Sequence, residues 1–437
     1  MRGRQPPPIW REGGCFMEYN PNTETYWDES ALAADMKKAF DICNGCRLCY
    51  SLCPSFPDLF KSVEGHDDSV DLLTDEELSR PADLCYQCKL CYIKCPYTPP
   101  HRFDLDFPRL MLRSKAVRTK KKGLASVDRF LGDPERIGQM GTRLPGLSNW
   151  SNRSPVMRRI MEKMTGIDHR RHLPKFAVTR FSKWALNRKK SIGEADVALF
   201  TTCTVEYHHP GIGQATMNVL THHDIHADVP ANQRCCGMPA LDGGDIPGAR
   251  ERAQQNVAIL APYAKAGKKI LALQPTCAYV LKEEYPLLVG TDDAKKVSEA
   301  TLDVTEYFAQ MARRKELKKD FLQNSVGTVT YHLSCHSKAQ GLRRSAKDLL
   351  TYIEGTTVNV VDRCAGIDGT WGLKAEFYDE SQKVAAKLTE SFRQAHDTQA
   401  CSDCALAGLQ IETVTDSAPK HPVEILSAAY GLESEGK

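Results

Sequence analysis

Eight cysteines in two copies of one spacing constrain this chain more than any other feature. Residues 43–54 read Cys-Asn-Gly-Cys-Arg-Leu-Cys-Tyr-Ser-Leu-Cys-Pro, and residues 85–96 read Cys-Tyr-Gln-Cys-Lys-Leu-Cys-Tyr-Ile-Lys-Cys-Pro. Both are C-x2-C-x2-C-x3-C-P, the spacing with which bacterial chains hold paired iron–sulfur clusters. Three thiolates within seven residues let one loop wrap three corners of an iron–sulfur cube. The fourth cysteine points away and serves the other cluster, with proline stopping a helix behind it. The spacing therefore predicts one [4Fe–4S] cluster on Cys43, Cys46, Cys49 and Cys95, and a second on Cys85, Cys88, Cys91 and Cys53. Structural zinc fits worse, because it favours two separated C-x2-C pairs.

The remaining totals bound the class. A chain of 437 residues with 41% hydrophobic and 26% charged residues is ordinary for a chain of two to four compact units. No run of about 18 apolar residues suggests a membrane span. The opening Met1-Arg-Gly-Arg-Gln-Pro-Pro-Pro8 lacks the apolar core of a secretory signal. Seventeen cysteines without such a signal imply reduced thiolates on metal, hence the cytoplasm or its membrane face. Residues 1–16 read as an extension upstream of a second start at Met17, and Cys15 receives no role.

Charge is unevenly spread. Residues 109–190 contain 22 Lys and Arg against 5 Asp and Glu, a local +17 in a chain of net +3, which leaves −14 elsewhere. Val156, Met157, Ile160, Met161 and Met164 form an apolar stripe beside Arg158, Arg159 and Lys163, and Phe181 and Trp184 lie among further cations. Such a segment suits an anionic membrane surface, an acidic partner, or the acidic remainder of the same chain. No nucleic-acid recognition motif accompanies it.

Read in order, the chain divides into an N-terminal extension (1–37), a helical domain with the two cysteine runs (38–108), a basic helical linker (109–192), a first cysteine-rich lobe (193–300), a connecting helix (301–327) and a second cysteine-rich lobe (328–437). Leu32, Met36, Ala39 and Phe40 predict a helix leading into Cys43. From residue 193 short apolar strands, 197–203, 269–277, 329–335 and 358–364, each end on a cysteine. Helix-like segments over 248–264, 341–353 and 376–395 alternate with them, which predicts parallel sheets with thiols beyond the carboxyl ends of the strands. The cysteines also repeat. Cys203, Cys235 with Cys236, and Cys277 recur as Cys335, Cys364, and Cys401 with Cys404, at offsets of 127–132 residues. The fold class is thus α plus α/β: a helical two-cluster domain, then two pseudo-repeated parallel α/β lobes.

Arg234-Cys235-Cys236-Gly237 with a preceding and a following cysteine resembles the cysteine-rich (CCG) domain of heterodisulfide reductase B subunits. The double domain behind a two-cluster ferredoxin-like domain is similar to the C subunit family of anaerobic glycerol-3-phosphate dehydrogenases and to glycolate oxidase iron–sulfur subunits. Pro275-Thr-Cys277, Glu284-Tyr-Pro286, His332-Leu-Ser-Cys335-His336, Gly366-Ile-Asp-Gly369-Thr-Trp371-Gly372 and His421-Pro-Val-Glu424 favour the glycerol-phosphate type. The full heterodisulfide-reductase motif has five cysteines and holds a non-cubane cluster. Here Gln274 and Ala365 replace one cysteine in each half. Each lobe keeps four thiols: Cys203, Cys235, Cys236 and Cys277, then Cys335, Cys364, Cys401 and Cys404. That number suits one or two further [4Fe–4S] clusters, and each set also suits a regulatory thiol site. His332 and His336 flank Cys335 and are placed either to hydrogen-bond a cluster or to face solvent.

No G-x-G-x-x-G follows a strand, so hydride chemistry by this chain alone is not expected. The resemblance implies an electron-transfer subunit between a flavoprotein dehydrogenase (of glycerol-3-phosphate or 2-hydroxy-acid type) and quinone or another acceptor. Two other readings fit the same residues: a disulfide or thiol reductase acting in a cysteine-rich lobe, and a donor to a peroxide-reducing diiron protein.

Overall fold

The computed structural model of the chain describes residues 17–432, apart from 189, 323, 324, 368 and 416, so Cys15 lies outside the described residues. Two compact units divide it, Met1–Leu124 and Ala125–Lys437.

The first unit is helical. Asp28 caps the helix Glu29–Cys46 by accepting the Ala31 N–H, and Leu32, Met36, Ala39 and Phe40 are its buried residues, at the spacing a helix requires. That helix ends at Arg47, in a left-handed conformation. Pro54 does not stop a helix: it stands at the N-cap of Ser55–Glu64, where the missing N–H costs nothing. A capping box between Thr74 and Glu77 opens the helix Asp75–Leu84. The helix Phe107–Lys122 completes the unit, packing Phe107 against a tilted Phe56 ring at 4.7 Å between ring centroids. The basic stretch begins inside this helix, and it does so inward. Arg113 is fully buried, bonded to Asp35 at 2.6 Å and to the carbonyls of Thr25 and Tyr26 at 2.7 Å. Its charge is tolerated because its donors are satisfied.

The second unit carries two parallel sheets. The first has the order β2-β1-β3-β4, with β1 Val197–Phe200, β2 Ala227–Asp228, β3 Lys269–Ala272 and β4 Thr301–Asp303. The second has the order β6-β5-β7, with β5 Thr328–His332, β6 Thr357–Val361 and β7 Gln399–Ser402. Every pairing among these strands is parallel. Residues 301–303, expected to be helical, instead add an edge strand, and the helix Val304–Arg313 follows. Its Phe308 joins Leu199, Leu271, Val329, Tyr331 and Leu426 in one core shared by both sheets. The helices Ile246–Lys265 and Tyr378–Gln394 match the sequence expectation closely, whereas 341–353 shortens to Ser345–Leu350 because Gly341 turns at φ +76°.

Residues 126–188 form short helices that lie on this α/β unit. Proline occupies the first turn of Pro134–Gly141, Pro145–Arg153 and Pro155–Thr165. Backbone bonds between Asp168 and Leu373 (3.0 Å) and between Ala375 and Gly166 (2.9 Å) tie the segment down. Phe181, grouped by sequence with interfacial aromatics, is instead fully buried in the core, with Trp184 packed beside it. Val156, Ile160 and Met164 remain exposed along one helical stripe.

Candidate iron–sulfur and thiol sites

In the first unit Cys43 and Cys46 close the helix Glu29–Cys46, whereas Cys85 and Cys88 precede the helix Leu90–Lys94 that carries Cys91. Arg47 and Lys89, each following the second cysteine of its run, both take left-handed backbone (φ 53° and 63°), which reverses the chain and lets the flanking thiols share one loop. The Cys43 thiol is pushed well up by burial and then by Cys49, Cys95 and Cys46. Cys95, from the second run, thus stands with the first three thiols. Cys91 is pushed up by burial and then by Cys85, Cys53 and Cys49, and Cys53 rises to about 12 through burial and Cys85. Cys53, Cys85, Cys88 and Cys91 line one hollow with Leu52, Tyr86 and Phe107. Around it, Gln87 Nε2 donates to Cys85 Sγ at 3.3 Å, and Lys115 Nζ donates to the Cys85 carbonyl at 3.1 Å. Tyr86 is buried and donates to the Leu52 carbonyl at 3.3 Å, while Tyr50 is exposed.

The donor set fits an iron–sulfur group. Thiols brought together under burial resist ionising one after another, and cationic iron supplies the charge that lets all of them serve as thiolates. A bound cluster would supply one-electron transfer at a potential set by burial, charge and hydrogen bonding.

In the first lobe, Cys203 lies in the short helix after β1, Cys235 and Cys236 on a loop, and Cys277 in the helix after β3. Their thiols stand close enough to shift one another's ionisation in series, Cys203 with Cys235, Cys235 with Cys236, and Cys236 with Cys277. The Cys-Cys-Gly turn is built to hold them. Gly237 takes φ +96°, and a Cβ there would meet the Ala249 carbonyl at 3.3 Å. Asn256, fully buried, accepts the Arg234 N–H at 2.8 Å and donates to the Arg234 and Cys235 carbonyls. Asn256 Nδ2 also donates to Tyr285 Oη at 2.8 Å. Glu135 accepts the Cys235 N–H at 2.6 Å and the Arg234 Nε–H at 2.8 Å.

The second lobe is arranged differently. Cys335 opens a helix capped by Ser334, and Cys364 follows β6 and accepts the Gly366 N–H at 3.4 Å. Gly366 is forced by crowding: at φ +64° a Cβ would lie 2.3 Å from the Ser381 carbonyl. Lys338 Nζ bonds Asp362 at 2.6 Å; burial works to lower its pKa, and Cys335, Asp362 and Cys364 raise it by more. Cys404 lies near enough to Cys277 of the first lobe to push that thiol up, and the next residue, Ala405, donates its N–H to Gln274 Oε1 at 3.2 Å. Cys401 is in a different setting: on β7 it is fully buried in the shared apolar core, and burial, Asp403 and Glu424 push its thiol up.

The histidines are occupied with structure. His332 is buried, bonded to Ser402 at 3.2 Å and the Arg363 carbonyl at 3.1 Å, and burial lowers its pKa to about 4. His336 Nδ1 bonds Thr276 at 2.9 Å across the two lobes. His222 pairs with Asp320, and His223 accepts the Lys318 N–H. Glu135, Asn256 and Lys338 carry no sequence motif. The signals for two of them were weak: Glu135 is a lone acid after a proline in a basic stretch, and Lys338 lies one helical turn beyond Cys335.

Residues 36–122 match the family described as the citrate utilization protein B Fer4-like domain, and residues 197–282 and 329–409 each match the cysteine-rich domain family. The C subunit of the anaerobic glycerol-3-phosphate dehydrogenase of Escherichia coli (strain K12) is 28% identical over 303 residues, 68% of this chain and 76% of that protein. Lactate utilization protein A of Bacillus cytotoxicus is 27% identical over 217 residues, 48% of this chain and 87% of that protein. The B subunit of the fumarate reductase (CoM/CoB) of Methanothermobacter marburgensis is 26% identical over 254 residues, 55% of this chain and 48% of that protein. The chain is therefore an iron–sulfur protein with a Fer4-like domain followed by a duplicated cysteine-rich domain, and it resembles the C subunits of anaerobic glycerol-3-phosphate dehydrogenases.

Proposed function

We propose that this chain is the electron-transfer subunit of an oxidoreductase assembly, passing electrons between a flavin-bearing dehydrogenase subunit and quinone or another acceptor. Its Fer4-like domain holds two [4Fe–4S] clusters, on Cys43, Cys46, Cys49 and Cys95 and on Cys85, Cys88, Cys91 and Cys53. The observation that carries this reading is the crossing of the runs, with Cys95 raising Cys43 and Cys53 lining one hollow with Cys85, Cys88 and Cys91. In this reading one or two further [4Fe–4S] clusters belong to the cysteine-rich lobes. Relatives named as dehydrogenase and reductase subunits support a partner dehydrogenase, of glycerol-3-phosphate or 2-hydroxy-acid type.

The same reading has the assembly meet an anionic membrane through residues 126–165. No helix among the described residues is long and apolar enough to cross a membrane. The exposed Val156, Ile160 and Met164, with Arg159 and Lys163 on the same helix, support peripheral contact instead.

The test is anaerobic purification with iron and acid-labile sulfide per chain, EPR of the reduced sample, and identification of co-purifying proteins. About eight or more irons together with a flavoprotein supports the proposal. A chain that binds zinc rather than iron, or that cleaves disulfides with no partner, overturns it.

A further inference from the structure

We propose that Cys404 of the second lobe serves the thiol site of the first, so that Cys203, Cys235, Cys236, Cys277 and Cys404 together hold one iron–sulfur group across the seam between the lobes. This deepens the electron-transfer reading and rests on its placing a cluster in the cysteine-rich lobes.

The seam is built on the residues that lead into Cys277. Cys277 lies in the helix Pro275–Tyr279, which meets the helix Cys335–Ala339 of the other lobe. Thr276 bonds His336 Nδ1 at 2.9 Å, and Gln340 Nε2 donates to the Pro275 carbonyl at 2.9 Å. The Tyr279 and His336 rings lie 5.1 Å apart. Three residues before Cys277, Gln274 Oε1 accepts the Ala405 N–H at 3.2 Å. Residues 274, 275 and 276 thus each bond the second lobe, immediately beside the first-lobe thiol.

The same contact fixes Cys404. Its strand ends at Ser402, and Ser402 Oγ accepts the Cys404 N–H at 3.2 Å. The next amide along, that of Ala405, is the one Gln274 takes. Held at both amides, Cys404 brings its thiol near enough to Cys277 to push that thiol up. Cys401, the other cysteine of this C-x2-C, is buried in the shared apolar core, so the pair does not act as one donor unit.

An orphaned donor marks the same place. Gln274 is 6% exposed, and its Nε2 has no hydrogen-bond partner among the described residues. A buried amide N–H normally finds an acceptor. This one belongs to the amide whose oxygen holds the Cys404 loop, and the sulfurs of an iron–sulfur group accept such donors. Five thiols fill the four iron positions of a [4Fe–4S] group with one to spare. Cys335 and Cys364 remain, two thiols where a second four-iron group needs four. The chain should therefore carry about twelve irons, about eight in the Fer4-like domain and about four at the seam.

The experiment combines iron analysis, EPR and alkylation of the anaerobically purified holoprotein. About twelve irons per chain are expected. Cys404→Ser should change the EPR signal that Cys277→Ser abolishes, while Cys364→Ser leaves that signal alone. In the iron-loaded wild type, Cys404 should resist iodoacetamide, read by peptide mass spectrometry. It should become labelled in Cys236→Ser, a substitution in the other lobe. Gln274→Leu removes the acceptor that holds Ala405 and should unmask Cys404 in the same way, whereas Gln274→Glu keeps an oxygen there and should not. A Cys404→Ser variant that instead alters a signal shared with Cys335→Ser or Cys364→Ser overturns the proposal, as do about sixteen irons. Where a variant misfolds and loses its iron, the wild type decides: protection of Cys404 with about twelve irons supports the proposal. About twelve irons with Cys404 labelled sinks the proposal alone. About eight irons would mean empty lobes, and the cluster reading there falls together with the proposal.

Discussion

Arg47 and Lys89 hold the same place in the two cysteine runs and share a left-handed backbone, yet only Lys89 is buried. Arg47 reaches outward to Glu64 at 2.6 Å, whereas Lys89 is 3% exposed and donates to Gln87 at 3.0 Å. Cys85, Cys88 and Cys91 are likewise buried, while Cys43, Cys46 and Cys49 are only partly so. The site at the first run should therefore meet small oxidants first. During a slow ferricyanide titration of the dithionite-reduced protein, the EPR signal that depends on Cys46 should vanish before the one that depends on Cys88. Simultaneous loss would contradict this.

The crossing of the runs predicts how cysteine variants group. Cys95→Ser should abolish the same EPR signal as Cys46→Ser, and Cys53→Ser the same signal as Cys88→Ser, each with loss of about four irons. If Cys95 instead groups with Cys88, each run holds its own cluster and the assignment is wrong.

Asn256 bonds the Arg234 N–H and the Arg234 and Cys235 carbonyls where the chain enters the Cys-Cys-Gly turn. Asn256→Ala leaves a buried N–H and two carbonyls without that partner, at a cost of about 3 kcal/mol. Urea unfolding of the metal-free protein should show a lower midpoint with an unchanged slope. A change within about 0.5 kcal/mol would mean that water replaces the amide.

Asp303 supplies a pH dependence. Burial, with Asp403 and Glu306 nearby, raises its pKa to about 7, against about 3.9 in an unfolded chain. Between those values the folded state binds more protons than the unfolded one. Its contribution is complete below pH about 4, is lost as pH rises, and is gone above about 7. Asp303 also caps the helix Val304–Arg313, a role asparagine fills well. Asp303→Asn should therefore gain on wild type by on the order of 2–4 kcal/mol between pH 4 and pH 8. Parallel stability curves for the two proteins would refute the assignment.

Exposed Ile160 and Met164 predict a membrane face. Replacing both by aspartate should weaken co-sedimentation with vesicles containing anionic lipid at least about tenfold, since burying one such side chain contributes roughly 1.5–3 kcal/mol. Binding unchanged by the double substitution, or equal on neutral vesicles, would assign this face to something other than an anionic bilayer.

The residues by themselves determined the cysteine runs, the helix from Leu32 to Phe40, the parallel strands ending near thiols, and the repeat of the lobes. These are legible because a ligand spacing or a periodicity of apolar residues acts within one turn or one strand. Only the tertiary structure decided which side chains brace the Cys-Cys-Gly turn. Glu135 is 100 residues from Cys235, and nothing local marks it as the acceptor of that N–H. The fate of the basic stretch was decided the same way. Arg113, Arg158 and Arg171 turn inward to bond Asp35, the Asp168 carbonyl and Gln410, while Val156, Ile160 and Met164 find no such cover. Cys401 and Cys404 share one C-x2-C, yet strand pairing sends the first into the core and the following loop brings the second toward Cys277. Local spacing names the donors; long-range packing sets their charge, burial and neighbours, because desolvation depends on everything that surrounds a group.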